Sequence, residues 1–186
     1  MAEASYSQAV PSLFFRPPTL DDLDAIHDIE ANSYPEDEAA TYENLKFRIE
    51  QACGQFLVAI KAASAGDGSN SSDQLVGYVC GTCSSASSLT HESMSSHEPG
   101  GSLLCIHSVA VAQQHRRHGI ASRMLQLYLR YVQGTTAGLQ EVRLICKEQM
   151  IPLYSKAGFV LLGPSSVEHG QEQWHEMAWQ PHEEDA

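Results

Sequence analysis

Basic residues are scarce in this chain. Its 186 residues include 11 Lys and Arg against 23 Asp and Glu, and the formal net charge at pH 7 is −12 with neutral histidines. A protein this acidic disfavours nucleic acid and anionic membrane surfaces as partners, so we expect neither, and it favours a cationic partner. The same charge also aids solubility, and composition alone does not separate the two explanations.

The sequence also lacks long apolar runs, a secretion signal and a disulfide framework. No apolar stretch approaches the ~20 residues of a membrane helix, and residues 1–5 lack the basic start and apolar core of a signal peptide. The five cysteines are an odd number without a framework spacing, which indicates free thiols in a reducing compartment. We therefore expect a cytoplasmic protein without a membrane segment.

A metal site is not expected either. Cys80 and Cys83 form a C-x-x-C pattern in a stretch that is typical of a β-strand. An odd separation in a strand directs two side chains to opposite faces, and the sequence has no second pair to complete a zinc site. Packing is the stronger interpretation of both thiols.

The composition is that of one globular domain, with 42% apolar and 18% charged residues. We expect that domain at residues 13–180, between a flexible tail at 1–12 and an acidic tail at 181–186. The order of apolar patterns and turn residues predicts a mixed α/β fold. The predicted elements are a strand at 13–18 with prolines that favour an edge, helices at about 23–32 and 40–53, strands at 55–60, 75–80 and 103–111, a helix from 120 to a stop at Gly134, a strand at 141–146, a helix at 150–157, and strands at 158–163 and 174–179, with a flexible hairpin connection at 65–73.

The strand at 103–111 and the helix after it organise the rest of the chain. The strand is apolar and carries β-branched residues, as a central buried strand does. A side-chain period of two predicts one shared face unless a bulge intervenes. The residues of that face are Cys105, His107, Val109 and Val111.

The turn between this strand and the helix is suited to an anion. A helix start leaves its first amide hydrogens unpaired and carries the positive end of the helix dipole. Gly119 allows close backbone approach, and Arg116 and Arg117 add charge-assisted donors. The turn therefore predicts a phosphate site, and an ordinary turn with solvated arginines is the alternative.

Residues 116–121 match R-x-x-G-x-A, the acetyl-CoA pyrophosphate loop of the GNAT superfamily of N-acetyltransferases. From about Phe14 to Trp179, the chain resembles the arylalkylamine N-acetyltransferases of that superfamily, and more closely their non-vertebrate type. The resemblance implies a single-domain α/β acyltransferase fold, with a mixed central sheet of about seven strands flanked by about four helices, and acetyl-CoA as co-substrate without a metal. The segments that carry the resemblance are 30–40, 89–94, 107–111 and 151–159.

The resemblance also implies how acetyl-CoA is held. The strand backbone at Val109 and Val111 pairs with the pantetheine arm, a form of strand addition, and the loop cradles the pyrophosphate. The implied cofactor-binding residues are Val109, Ala110, Val111, Arg116, Arg117, His118, Gly119, Ile120, Ala121 and Ser122.

Two side chains are candidates for catalysis. The resemblance implies that Tyr154 protonates the departing thiolate, and that two strand histidines relay the proton of the amine; the matching residues here are Cys105 and His107. An alkylammonium has a pKa of ~10 and only the neutral amine is nucleophilic, so deprotonation at pH 7 costs about 4 kcal/mol. His107 is therefore the candidate base. A hydrogen-bonded core histidine and a packed tyrosine are the alternatives.

The resemblance places the loop 33–38 over the amine, with Tyr34 as an aromatic wall and Pro35 lending shape. The implied substrate-binding residues are Tyr34, Pro35, Glu36, Val109 and Ile145. The acids at 36–38 can attract a small cationic amine, either an arylalkylamine or a polyamine. Solvated loop acids are the alternative.

Three functions remain open. The first is transfer of an acetyl group from acetyl-CoA to an arylalkylamine, by direct attack in a ternary complex. The second is acetylation of a polyamine, a diamine or a peptide lysine on the same fold, and the third is an acetyl-CoA-binding module without turnover. The presence of His107, Tyr154 and the whole 116–121 loop favours an enzyme. Residues 16–19 lack the paired arginines of a basic phosphorylation motif, so phosphorylation-dependent adaptor binding is unsupported, and we expect a monomer.

Overall fold

The computed structural model describes residues 12–63, 72–90, 92–167 and 172–181. Within them, seven strands and four α-helices follow each other in the predicted order. They are β1 (Leu13–Arg16), α1 (Leu23–Ala31), α2 (Tyr42–Gln51), β2 (Phe56–Lys61), β3 (Gln74–Ser84), β4 (Leu103–Val111), α3 (Ile120–Thr135), β5 (Glu141–Cys146), α4 (Ile151–Lys156), β6 (Val160–Pro164) and β7 (His175–Trp179). The predicted tails, apart from residues 12 and 181, and most of the predicted connection at 65–73 lie outside the described residues.

The strands form one mixed sheet in the order β1-β2-β3-β4-β5-β7-β6. β4 and β5 run parallel, and the other neighbours run antiparallel. β1 lies at an edge, where the following prolines cannot interrupt a ladder, and β2 and β3 pair as the predicted hairpin. The predicted mixed α/β class is confirmed.

A capping box holds the 3-10 turn Leu20–Asp22 that leads into α1, and a side-chain cap starts α2. Before α1, the backbone N–H of Thr19 donates to the carboxylate of Asp22 at 2.7 Å, and Arg16 pairs with the same carboxylate at 2.7 Å. Before α2, the hydroxyl of Thr41 accepts from the N–H of Asn44 at 3.2 Å. These contacts fix where α1 and α2 begin.

The helices cover both faces of the sheet. On one face α3 and α4 pack in a core cluster that includes Leu104 of β4, while α1 and α2 pack with Val58 of β2 on the other. Cys83 lies in the first cluster and Cys80 in the second, as the odd spacing predicted. Both are buried free thiols, which agrees with packing.

The end of α3 differs from the prediction of a stop at Gly134. The helix continues to Thr135, and the C=O of Val132 still accepts from the N–H of Thr136 at 2.9 Å. The glycine with left-handed backbone is Gly138, with φ of 73°. A glycine near a helix end is therefore not its stop unless the backbone turns there.

Candidate active site

A cavity of about 800 Å³ opens where β4 and β5 separate. The two strands pair at 103–105 with 141–143, and the residues that follow in each strand line the cavity. The loop between α1 and α2, the start of α3 and α4 complete its wall. A crevice at the carboxyl ends of neighbouring parallel strands is a usual position for a ligand.

Most of the predicted site residues line this one cavity. They are Tyr34, Pro35, His107, Val109, Ala110, Val111, Arg116, Arg117, Gly119, Ile120, Ala121, Ser122, Ile145 and Tyr154. Glu36 and His118 are not among its lining residues. The fold thus brings the predicted catalytic, cofactor and amine residues together, and these two predictions have no support from the cavity.

The loop before α3 has the backbone of an anion cradle. Arg117 and Gly119 both adopt left-handed conformations, with φ of 66° and 73°. A non-glycine residue rarely adopts such a φ, and alternating handedness turns successive N–H groups toward one concave side. The first turn of α3 adds its own unpaired N–H groups. The arrangement fits a pyrophosphate.

Arg116 already holds protein acceptors. Its Nε donates to the carbonyl of Val111 at 2.9 Å, and its Nη2 donates to the carbonyl of Asn32 at 3.1 Å and to the hydroxyl of Ser33 at 2.9 Å. The guanidinium therefore ties the end of β4 to the loop between α1 and α2. Among the described residues, Arg117 makes no such hydrogen bond to the loop, and its backbone forms part of the cradle.

His107 lies at a bulge in β4. Cys80 pairs with Ser108, but the next residue of β3, Gly81, pairs with Ile106, so His107 is the additional residue. A Cβ on Gly81 would lie 2.8 Å from a carbonyl oxygen of β4 and 2.9 Å from a tyrosine hydroxyl of α3. The absence of a side chain here lets α3 approach the sheet at the bulge.

The bulge breaks the predicted shared face of β4. Val109 and Val111 pack with the α3 cluster, whereas Cys105 is buried in a separate cluster. His107 turns to Thr82, which pairs with Cys105. The bulge is the exception that the sequence analysis allowed for, so the four β4 residues do not share one face, and Cys105 is not among the residues that line the cavity.

His107 is held as a neutral imidazole. Its Nε2 shares a hydrogen bond of 2.8 Å with Thr82 Oγ1. Burial, and then the charge of Arg48, hold the pKa of His107 well below its ordinary value. Thr82 and Arg48 also line a smaller cavity of about 190 Å³. A neutral imidazole at pH 7 can accept a proton, as a general base must.

Tyr154 remains protonated at neutral pH. It is buried on α4, lines the cavity and packs edge-on against Phe159 at 5.9 Å between ring centroids. Burial, and then the nearby Cys146, raise the pKa of its phenol. A phenol that keeps its proton is able to donate it to a thiolate.

Tyr34 contacts the strand edge that the resemblance assigns to the pantetheine arm. Its hydroxyl donates to the carbonyl of Val109 and accepts from the N–H of the same residue, both at 3.2 Å. Burial, then Tyr154 and Glu30, raise the pKa of the Tyr34 phenol. Tyr34 therefore links the loop between α1 and α2 to β4.

Glu30 is a site residue that the sequence analysis missed. It lines the cavity, is 1% exposed, and accepts hydrogen bonds from the N–H of Ala40 at 2.9 Å, from Ser108 Oγ at 3.0 Å and from the hydroxyl of Tyr78. A signal was present, because Glu30 follows Ile26 by four residues and so lies on the apolar stripe of α1. An acid on such a stripe is a candidate functional group.

Glu38 is the loop acid that reaches the cavity. Its side chain is 4% exposed, and Lys147 Nζ, just after β5, lies 2.9 Å from its carboxylate. The same ammonium lies 3.1 Å from Glu172 and 5.5 Å from the centroid of the Trp174 ring. The sequence analysis named 36–38 together, and only the fold distinguishes Glu38 from Glu36.

Neither a metal site nor a membrane span is found in the part of the chain that the structure describes. No three His, Cys, Asp or Glu side chains in the described ranges are grouped to hold a metal ion. Among those residues, no helix has the length and apolar character needed to cross a membrane.

Known proteins resemble this chain in sequence and in structure. Serotonin N-acetyltransferase of Mesocricetus auratus is 33% identical over 97 residues, which cover 52% of this chain and 46% of that protein. The human enzyme of the same name is 27% identical over 96 residues, again 52% and 46%. The chain thus spans about half the length of the curated relatives it matches.

Solved structures share the fold at low sequence identity. The loading GNATL domain of CurA from Lyngbya majuscula superposes with a TM-score of 0.73 at 12% identity, over 91% of this chain and 98% of that one. NAA60 of Arabidopsis thaliana, solved with a bisubstrate analogue, gives 0.68 at 17% identity, over 92% and 100%. Residues 23–159 match the Acetyltransferase (GNAT) family. The chain therefore belongs to the GNAT family of acetyltransferases.

Proposed function

We propose that this protein transfers the acetyl group of acetyl-CoA to the primary amine of an arylalkylamine, by direct attack in a ternary complex. One observation carries the proposal: a single cavity is lined by the cradle before α3, by His107 and Tyr154, and by the buried carboxylates of Glu30 and Glu38. Location in the cytoplasm and a monomeric state are parts of the same proposal. Buried free thiols support the first, and gel filtration tests the second.

The cradle fits acetyl-CoA, which supplies the activated acetyl thioester when bound. The left-handed residues 117 and 119 and the first turn of α3 are positioned for its phosphates. The splayed edge of β4 offers backbone groups at Val109 and Val111 for the pantetheine arm. The acetyl group would then be presented toward His107, which lines the cavity at the bulge of β4.

His107 and Tyr154 divide the proton transfers. The neutral imidazole accepts the proton that the ammonium must lose, and Thr82 orients the ring through Nε2. The free amine forms the new C–N bond, the C–S bond breaks with its electron pair on sulfur, and the Tyr154 phenol gives the sulfur its proton. The proton that the nitrogen loses on becoming an amide restores the phenol, and the imidazolium releases the first proton to solvent. The products are the N-acetylamine and free coenzyme A.

The acceptor class follows from charge and shape together. Two buried carboxylates make the amine part of the cavity favourable for one positive charge. Aromatic and apolar side chains accompany them, namely Tyr34, Pro35, Met94, Ile145 and Trp174. A ring on a short ammonium arm matches both features, and the curated relatives named serotonin N-acetyltransferase support this acceptor.

The test is acetyl-CoA-dependent thiol release with tryptamine, phenethylamine, spermidine and a short lysine peptide at matched concentrations. We expect preference for the two aromatic amines, and a much slower reaction when Tyr154 is replaced by phenylalanine. Turnover with spermidine or the peptide alone would contradict the acceptor but not the enzyme class. Release with none of the four, in a protein that binds coenzyme A, would point to the binding module.

A further inference from the structure

A positive charge of the protein itself sits in the amine part of the cavity. The ammonium of Lys147 lies 2.9 Å from Glu38, 3.1 Å from Glu172 and 5.5 Å above the ring of Trp174. Two carboxylates and an aromatic face are the groups that bind an organic ammonium. Lys147, Glu38 and Trp174 all line the cavity. We call Lys147, Glu38, Glu172 and Trp174 together the lysine clasp.

Three separate segments meet in the lysine clasp. Glu38 comes from the loop between α1 and α2, Lys147 follows the last residue of β5, and Glu172 and Trp174 precede β7. The Glu38 carboxylate is almost completely removed from solvent, so its charge requires a nearby cation. Lys147 supplies that cation, and the carboxylate in turn raises the pKa of the ammonium.

We propose that Lys147 determines specificity for the number of charges on the acceptor, because its ammonium holds the cation position beside Glu38. The inference rests on the proposed N-acetyltransferase function. A monoamine needs one counter-charge at its reacting end, and its apolar tail packs on Met94 and Pro35. A diamine or polyamine must bring a second ammonium out of water into a place where Lys147 already neutralises the carboxylate. The clasp thereby rejects polyamines, although the protein is strongly acidic.

Removal of the lysine charge reverses this preference. In Lys147→Met the Glu38 carboxylate remains buried without the cation that neutralised it, which is unfavourable in the free enzyme. The second ammonium of a bound diamine restores the pair, whereas a monoamine does not. Charge-assisted hydrogen bonds contribute enough to change selectivity about tenfold or more.

The experiment compares n-pentylamine with 1,5-diaminopentane, which differ only by the second ammonium. We expect the ratio of kcat/KM for the diamine over the monoamine to rise about tenfold in Lys147→Met. Longer diamines and spermidine extend the series, and the best chain length reports the distance from the reacting amine to Glu38. Lys147→Arg retains the charge and keeps the wild-type ratio. Lys46→Met on α2 makes the same change in net charge outside the cavity lining and also keeps it.

A double variant tests whether the buried charge of Glu38 causes the change in the ratio. Adding Glu38→Gln to Lys147→Met removes the buried charge, so the ratio returns to the wild-type value. If Lys147→Met does not fold, Lys147→Gln removes the charge but retains a donor toward Glu38 and carries the same expectation. An unchanged ratio over the whole diamine series, in a folded variant that acetylates tryptamine, overturns the inference. Failure of the wild type to acetylate any amine instead overturns the proposed function.

Discussion

Under the proposed function, the hydroxyl of Tyr34 competes with acetyl-CoA for the edge of β4. It bonds both the N–H and the C=O of Val109, the backbone groups that the proposed function assigns to the pantetheine arm. Binding of the arm must therefore displace both bonds. Tyr34→Phe keeps the aromatic ring but removes the competitor, and we expect it to tighten coenzyme A binding.

The magnitude follows from the two bonds. Each is 3.2 Å long, at the outer end of the normal range, so each contributes about 0.5 kcal/mol, the lower end for a protein hydrogen bond. The free variant loses about 1 kcal/mol of stability in total, and the complex loses nothing at these atoms. The dissociation constant for coenzyme A then falls about fivefold, measured by titration calorimetry.

A second measurement tests the same energy difference through the stability of the protein. Urea unfolding of the free variant should show a free energy of unfolding lower by about 1 kcal/mol, and saturating coenzyme A should remove the difference. Tyr42→Phe is the matched control, since it loses an exposed bond to Asp24 on α1 and should leave the dissociation constant unchanged. Weaker or equal coenzyme A binding by Tyr34→Phe would mean that Val109 does not pair with the arm.

Three further predictions concern the reacting groups. His107→Gln should lower kcat by about 10²- to 10⁴-fold. In the wild type the rate should fall on the acidic side below pH 6.5, because burial and then Arg48 lower the pKa of His107, and the variant should lack this fall. An identical pH–rate profile would exclude His107 as the base. Since the folded protein binds that proton less readily than the unfolded chain, stability falls by up to about 1.4 kcal/mol per pH unit as pH drops below 6.5, and urea unfolding of His107→Gln should lack this contribution. Glu30→Gln should cost about 1–3 kcal/mol of stability and raise KM for amines while the coenzyme A dissociation constant stays constant; an unchanged KM would make Glu30 purely structural.

The sequence predicted the order of the elements because their signals are local. Apolar periodicity and Gly119 before α3 depend on residues a few positions apart. The bulge at His107 has no such signal, since it arises in the pairing of β4 with β3, a strand distant in the sequence. A prediction of the face on which a strand residue lies can therefore fail even where the strand itself is predicted correctly.

In the candidate site, too, local patterns were predictable from the sequence and contacts between distant segments were not. The loop 116–121 was located by its pattern, yet the sequence does not tell that Arg116 ties protein segments together while Arg117 has the left-handed backbone. In the same way, the sequence alone does not distinguish the roles of Glu36 and Glu38. Only their distance from Lys147 across the fold makes Glu38 the buried one.

The loop between α1 and α2 is bound at several points to the strands that carry the chemistry. Arg116 holds it at residues 32 and 33, Tyr34 holds it on β4, and Glu38 holds it on Lys147 after β5. Under the proposals above, acetyl-CoA displaces the Tyr34 contact, and the contact between Glu38 and Lys147 excludes a second ammonium. The loop therefore responds to both substrates, whereas His107 lies on β4 and Tyr154 on α4. Under these proposals, a single substitution in the loop changes acceptor selectivity without disturbing His107 or Tyr154, in line with the general rule that one fold carries different functions through changes at its site.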